Sequence, residues 1–571
     1  MGESALLVWF GARLDVAVNE RVHRLAEALR RAELHGVVDI VPAASSMLVS
    51  FEPRVLPEEH LRVKLRDLLS AELPPSASRH AEHVVPTAYG GEYGPDLEGV
   101  ASYHGLTAGE VVSLHTSRTY RVMFLGFLPG FAYMGLTHRD IAMPRLDVPR
   151  VRVPVGSVGL AGRQTGIYPF SSPGGWRLIG RTALRLWDPF RPSPALLAPG
   201  DLVRFVPVPG SEVEWTGGDW SPTSPASPAA HPVFEVLEPG ALTSVQDPGR
   251  PGLGHLGVCR GGAFDREAAC RANALVGNPL DAAVLELTWT GPVLKVLRPT
   301  TIALEGAGMT CIAGGEAIPP GVSWFVRAGT VLRFVSTPPR SASSSSTRAH
   351  GGVRACLAVA GGLDVPVVLG SRATYLPAGF GGYEGRALRS GDLLGSHVSA
   401  VPPAAVAGRF WPQARPSASE GEVRLRFVPC EGPWAAHRRA VKALTSRQWV
   451  VGVQSDRMGT RLVCPEGPPV HVHAGRGELI SFGVVQGAIQ LPPGGNPLVL
   501  NVDHQTTGGY PLAGVVIEAD QSLMAQLAPG QTVRFDEVSV GEARAVYAQK
   551  YADFAKALRL LRAGQGVGFK I

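Results

Sequence analysis

The chain has 571 residues, enough for roughly four domains at about 150 residues each, with cores that need no disulfides. It is 18% charged and 45% hydrophobic, which excludes an intrinsically disordered chain. The net charge of +6 is carried almost wholly by arginine, with lysine only at Lys64, Lys295, Lys442, Lys550, Lys556 and Lys570. Scattered charge of this kind fits an Arg-rich soluble protein, and no nucleic-acid partner is expected.

The 69 Gly and 49 Pro are about a fifth of the chain, against the usual ~12%. That density of turn residues favours short strands over helical bundles. No apolar run approaches the ~18 residues that would span a bilayer, and Met1-Gly2-Glu3-Ser4 has no basic leader, so no membrane partner is expected. The six cysteines (259, 270, 311, 356, 430 and 464) form no C-x-x-C pair. A reducing, cytoplasmic setting is expected from this.

In chain order, apolar residues at Val22, Leu25, Ala26 and Leu29 predict a helix over 19–32, and a second is predicted over 58–69. Short alternating runs such as Val331-Leu332-Arg333-Phe334-Val335 predict strands through most of the rest. Further helices are predicted over 520–527 and 542–562. Three polar, Pro- or Ser-rich stretches read as linkers or surface loops: 207–232, 336–350 and 402–420. The expected domains are 1–85, 86–207, 233–400 and 421–540, with 208–232 as a linker and 541–571 as a helical end.

One module is used twice. Gln164-Thr165-Gly166-Ile167-Tyr168-Pro169 is echoed by Gln505-Thr506-Thr507-Gly508-Gly509-Tyr510-Pro511. Val155-Gly156-Ser157 matches Gln486-Gly487-Ala488 ahead of these motifs, and Leu197-Ala198-Pro199-Gly200 matches Leu527-Ala528-Pro529-Gly530 after them. Two motifs repeated in one order indicate duplication.

The sequence has no P-loop, no H-E-x-x-H and no G-x-S-x-G. His471-Val472-His473 has no further ligands near it, so no metal site is expected. Gly370-Ser371-Arg372 reads equally as an anion cradle or a strand-closing turn. The loop Gly126-Phe127-Leu128-Pro129-Gly130-Phe131 reads as a rigid aromatic wall for a small ligand or as a buried plug. Gln164, Thr165, Gln505 and Thr506 suit an amide, and Arg163 suits a carboxylate or phosphate. Asp456-Arg457, in a Gly-bounded loop, reads as a salt-bridged turn or a binding group. The segment from Val245 to Asp265 collects His255, Asp247, Asp265 and Arg250, an inventory for proton transfer; Cys259 within it is expected to be an inert thiol.

These motifs resemble a known family, the bacterial 5-oxoprolinases. Residues 5–207, with Tyr89-Gly90-Gly91-Glu92-Tyr93-Gly94-Pro95-Asp96-Leu97 and Gly162-Arg163-Gln164-Thr165-Gly166-Ile167-Tyr168-Pro169, are similar to the B subunit of that enzyme, a relative of the sporulation-kinase inhibitor KipI. Residues 233–540, with Ser244-Val245-Gln246-Asp247, Ala358 to Pro366, Gln454 to Gly459 and Asp503 to Pro511, are similar to its C subunit, the KipA relative. The chain thus resembles a B–C fusion. It departs from the family at Cys259-Arg260-Gly261-Gly262-Ala263-Phe264-Asp265, where Pro-x-Ser-Gly-Ala-Met-Asp is common.

The resemblance implies an α+β, mainly β fold: a small N-terminal α/β domain followed by cyclophilin-like β-barrels in both halves. It implies ATP-dependent opening of 5-oxo-L-proline to L-glutamate with a separate A-like partner protein of the LamB/YcsF family, ATP bringing Mg²⁺. One alternative is the carboxyltransferase part of a biotin-dependent urea carboxylase, although no Met-Lys pair for covalent biotin occurs on this chain. A second is a non-catalytic regulator of a histidine kinase. Under the first reading His255, Asp265 and Asp456 are the catalytic candidates. Phe131, Arg163, Gln164, Thr165, Tyr168, Arg457, Gln505, Thr506 and Tyr510 are expected to bind substrate, with Arg163 or Arg457 steadying phosphate.

Overall fold

The computed structural model describes residues 1–71, 81–213, 231–336, 352–399, 401–412, 422–465 and 479–564. The His471-Val472-His473 pair and most of the three expected linkers lie outside the described residues. Residues 402–412 of the third are packed: Trp411 is buried, 5.2 Å from the Phe554 ring.

The N-terminal layer comprises β1 (Ala5–Trp9), α1 (Val16–Arg31), β2 (Val37–Pro42), β3 (Ser46–Phe51) and α2 (Glu58–Ser70), with strand order β1-β3-β2. The Asp15 side chain caps α1 by accepting the Val18 N–H at 3.0 Å, satisfying a donor the helix cannot. The stripe Val22, Leu25, Ala26 and Leu29 is buried against Met47, Val49 and Phe51 of the sheet. Each such aliphatic side chain contributes about 1.5–3 kcal/mol.

The first barrel has β4 (Glu82–Tyr89), α3 (Leu97–His104), α4 (Ala108–Thr116), β5 (Thr119–Leu125), β6 (Ala132–Gly135), β7 (Arg150–Val153), β8 (Ser157–Ala161), β9 (Gln164–Ile167), β10 (Ser172–Gly174), β11 (Arg177–Arg181) and β12 (Leu202–Pro207). Its ring is β11-β4-β12-β5-β6-β9-β8, with β7 and β10 as a separate ribbon. Strand β4 opens the barrel at Glu82, so the expected boundary at 85 falls inside a strand.

The middle domain contains β13 (Pro232–Glu238), β14 (Leu242–Gln246), α5 (Arg266–Leu275), β15 (Val284–Thr288), β16 (Val293–Val296), β17 (Thr300–Gly306), β18 (Met309–Ala313), β19 (Glu316–Ile318), β20 (Ser323–Val326), β21 (Val331–Ser336), β22 (Arg354–Val359), β23 (Leu363–Asp364) and β24 (Leu393–Ser396). Two sheets, β19-β18-β21-β16-β13-β24-β23 and β14-β15-β22-β17-β20, share one apolar core that includes Phe234, Leu294, Leu304 and Leu357.

The second barrel has β25 (Val423–Pro429), α6 (Arg438–Thr445), β26 (Trp449–Val451), β27 (Gly459–Val463), β28 (Phe482–Gly483), β29 (Ala488–Gln490), β30 (Leu498–Leu500), β31 (Thr507–Gly508), β32 (Leu512–Val516), α7 (Gln521–Ala525) and β33 (Thr532–Glu537), and α8 (Val540–Arg562) closes the chain. Its ring is β32-β25-β33-β26-β27-β30-β29, with β28 and β31 as a ribbon. This is the first barrel strand for strand. Each ring is also joined by one parallel pairing, β4 with β12 and β25 with β33.

The duplication is therefore topological, and it corrects one part of the sequence echo. Gly156 and Gly487 open equivalent strands with φ of 79° and 83°, and Gly200 and Gly530 turn into equivalent closing strands at 96° and 84°, backbone that favours glycine. Gln164-Thr165 lies within β9, however, whereas Gln505-Thr506 lies in the segment after β30. The two Gln-Thr motifs occupy different places. Among the described residues no helix is long and apolar enough to cross a membrane.

Candidate functional site

The two halves meet along a seam that the aromatic loop fills. Phe127 and Gly130 adopt φ of 65° and 76°, and the Gly130 N–H donates to the Leu256 carbonyl at 2.9 Å. A Cβ on Gly126 would lie 2.3 Å from Thr507 Oγ1, and one on Gly257 would lie 2.3 Å from the Leu128 carbonyl. Only glycine permits such an approach. Phe131 and Tyr168 are brought together, ring centroids 5.1 Å apart, with Trp176 5.5 Å from Phe131. Both are almost wholly buried. They form the plug of the first barrel, and burial pushes the Tyr168 hydroxyl above its usual range.

Thr165 faces the barrel core. Its Oγ1 donates to the Gly159 carbonyl at 3.1 Å and accepts from His115 Nε2 at 3.0 Å, while His115 Nδ1 accepts from the Tyr89 hydroxyl at 2.8 Å. The network is closed and neutral, and burial lowers His115 to about 3. Gln164 is half-buried in β9, and Arg163 donates to the Thr137 carbonyl at 3.3 Å. None of these lines the small cavity between the halves that is described below.

In the second half, Arg457 is corrected from ligand to structural cation. Its Nε and Nη2 donate to both Asp503 oxygens at 2.7 and 3.1 Å, Nη2 also donates to the Gly262 carbonyl at 2.8 Å, and Nη1 pairs with Glu286. Burial alone would lower this guanidinium, but Asp503 and Glu286 together raise it. With its donors spent between two domains, it has no fork to offer phosphate.

Asp265 caps α5, its oxygens accepting from the Ala268 N–H at 3.1 Å and Gln526 Nε2 at 2.7 Å. Buried and doubly occupied, it is not placed to act as a base. Asp456 is exposed and closes a turn by accepting the N–H groups of Met458 and Gly459 at 2.8 and 3.0 Å. Ser371 and the Arg372 N–H both donate to Asp247 at 2.6 Å, which makes Gly370-Ser371-Arg372 an anchored turn. Cys259 is buried and pushed up to about 12 by that burial, an inert thiol.

A cavity of about 180 Å³ opens between the N-terminal layer, the 251–266 segment and the second barrel. That is smaller than the roughly 300–1,000 Å³ of drug-sized sites. Thr506 lines it, the one member of the expected set to do so. His255 stands just behind, in the segment whose Pro251 and Gly254 form the wall, with Nδ1 donating to the Gly252 carbonyl at 3.1 Å. Burial lowers it to about 4. Gln505 and Tyr510 are half-buried nearby in the chain, and Gln505 Nε2 donates to Gln490 Oε1 at 3.4 Å.

The cavity's titratable lining includes Glu3, Asp39, Arg266 and His504, none of them among the expected site residues. Glu3 is buried and accepts the Glu518 N–H at 2.6 Å; burial raises it to about 7. Asp39, raised by burial to about 6, accepts the N–H of Ile40 at 2.8 Å and of Gly254 at 3.1 Å, which pins the cavity wall. His504 Nδ1 donates to the Gln505 carbonyl at 2.7 Å, and burial lowers its pKa to about 4. A carbonyl only accepts, so the proton is fixed on Nδ1 and Nε2 keeps its lone pair. Arg266 donates to Gln486 at 3.1 Å, while its Nε has no hydrogen-bond partner among the described residues. Two buried carboxyls and a neutral imidazole lining one cavity make it the candidate site. His504 lay inside a motif singled out from sequence; Glu3 had no local signal, because its burial depends on Glu518.

A larger groove of about 1180 Å³ runs between α2 and the second barrel. Its Arg62, Arg66 and Arg438 are paired with Glu58, Glu59 and Glu537, and no lysine lines it. Among the described residues no group of three or more His, Cys, Asp or Glu is arranged to hold a metal.

Comparison with known proteins agrees with this division of the chain. Residues 1–197 match the family model "Carboxyltransferase domain, subdomain C and D" and residues 256–537 match "Carboxyltransferase domain, subdomain A and B". The first half is 39% identical to the B subunit of 5-oxoprolinase from Bacillus subtilis, over 36% of this chain and 91% of that protein. The second is 35% identical to the C subunit of 5-oxoprolinase from Escherichia coli, over 54% of this chain and 93% of that protein. It is also 31% identical to urea amidolyase of Lachancea kluyveri, matching 17% of that protein. A solved structure, TTHA0988, superposes with a TM-score of 0.80 at 38% identity, covering 93% of this chain and 99% of that one.

Proposed function

The chain belongs to the carboxyltransferase-domain family that includes the B and C subunits of 5-oxoprolinase, with both joined in one polypeptide, and on that premise we propose that it is the lactam-handling component of an ATP-dependent 5-oxoprolinase. The observation that carries this reading is the cavity at the seam. It takes Glu3 and Asp39 from the B-like half and His504 and Thr506 from the C-like half, so neither half alone completes it. Its size suits a five-membered lactam, and its groups near neutrality suit moving a proton between water and an amide nitrogen.

Activation of the amide oxygen would come from a phosphoryl group that ATP donates. In this reading the nucleotide with its Mg²⁺ would be held by the A-like partner protein. This chain's part is to bind the lactam, orient it and exclude bulk water. None of the six cysteines forms a disulfide; a cytoplasmic, reducing setting is part of the proposal.

The test is release of phosphate and glutamate from ATP and 5-oxo-L-proline, by the purified chain alone and with the A-like partner added. Coupled release with the partner present is expected. No release with a partner of verified activity refutes the reading and directs the assay to urea and carboxybiotin.

A further inference from the structure

We propose that Glu3 carries the proton in lactam opening and that His504 accepts the lactam N–H, so that the two halves each contribute one reacting-centre contact. The proposal rests on the 5-oxoprolinase reading above. Both side chains line the same small cavity, one from each half of the chain. The Glu3 carboxyl is held by the Glu518 N–H, and its backbone carbonyl is held by Arg544 of α8, so it is fixed in place. His504 is fixed equally by Gln505, with its lone pair left on Nε2. That nitrogen has no hydrogen-bond partner among the described residues. A ring N–H is the donor this acceptor lacks.

The step balances with one carboxyl. With the amide oxygen phosphorylated at the expense of ATP, ADP leaving, water forms a C–O bond to the lactam carbon as ionised Glu3 takes one of its protons. The ring C–N bond then breaks, Glu3 returns that same proton to the departing nitrogen, and the hydroxyl proton passes through solvent to the amine. The acyl phosphate so formed reacts with a second water, which releases phosphate and leaves the carboxylate. His504 stays neutral throughout.

The charged and titratable groups around Glu3 are the Met1 amine, Asp39 of β2, Glu52 after β3, Arg260, Arg266 of α5, His504, Glu518, and Arg544 and Tyr547 of α8. Burial outweighs them and sets Glu3 to about 7. The rate should therefore rise with pH through about that value as the carboxylate forms.

The experiment uses the full chain with its A-like partner, ATP and 5-oxo-L-proline, measuring glutamate release between about pH 5.5 and 9. Glu3→Gln keeps an acceptor for the Glu518 N–H. It is expected to lower kcat at least ~100-fold and to abolish the rise near pH 7, with KM changed less than about threefold. His504→Asn, which keeps a donor for the Gln505 carbonyl, is expected to raise KM about tenfold with kcat largely kept. Only the wild type should discriminate strongly against the N-methylated lactam, and thermal melting checks folding. If Glu3→Gln melts early, Glu3→Asp, which retracts the carboxyl by one methylene, should slow turnover and displace the pH limb. Wild-type turnover with Glu3→Gln equally active and equally pH-dependent overturns the proposal and leaves the 5-oxoprolinase reading standing. Absence of wild-type turnover overturns that reading, and the proposal with it.

Discussion

Replacing Arg457 by Ala is the sharpest test of how the halves are held. Its guanidinium joins Asp503 of the second barrel to Glu286 of the middle domain, and these carboxylates are only 1% and 2% exposed. Removal leaves two buried acids and the Gly262 carbonyl without their donor, and breaking a buried pair from one side costs about 3–5 kcal/mol. The Phe264 N–H at 2.6 Å from Glu286 offsets part of this, so about 4 kcal/mol is expected. Urea unfolding followed by tryptophan fluorescence, with hydrogen exchange over 245–265 and 501–510, should show a lowered midpoint and lost protection in both segments. Burial already pushes Asp503 upward with Arg457 beside it; without the guanidinium it rises further above its unfolded value. A raised carboxyl is least costly below the unfolded pKa and costs more as pH rises through the folded one, so the deficit should shrink toward about pH 4. A change under about 1 kcal/mol with normal exchange would refute the argument. An Arg457→Lys chain of wild-type stability that no longer binds 5-oxo-L-proline would restore the ligand role the sequence suggested.

His115 and His504 are depressed by burial to about 3 and 4. Their contribution is full above the unfolded pKa near 6.5 and is lost as pH falls toward the folded values, roughly 3–5 kcal/mol each; His115→Gln should flatten the fall in urea midpoint between pH 6.5 and 4. Gly126→Val would drive its side chain into Thr507; overpacking of this kind costs about 1–3 kcal/mol, and small-angle scattering with thermal melting should show a loosened seam. Cys259 should resist iodoacetamide at pH 8 in the native protein and react on denaturation, and rapid native labelling would contradict its burial.

Several features were legible in the chain itself. Local chemistry decided the α1 stripe, the glycine turns at Gly156, Gly200, Gly487 and Gly530, and the use of one module twice, because periodicity and positive φ are properties of a few neighbouring residues. The family resemblance placed the halves in the right order. Helix α5 was not predicted, although Asp265 opens it as an N-cap. The same Asp265 was expected to be a base, and only the bond from Gln526, 261 residues away, shows it occupied.

The rest was decided by tertiary contact. Residue type alone could not say whether Arg457 faces ligand or two acids, or whether Phe131, Thr165 and Tyr168 line a pocket or fill a barrel. Glu3 illustrates the limit: a surface-typical residue in an unremarkable tetrapeptide becomes a near-neutral buried carboxyl only when the Glu518 turn and α8 close over it. Desolvation depends on what lies within a few ångströms in space, and sequence neighbours do not carry that information.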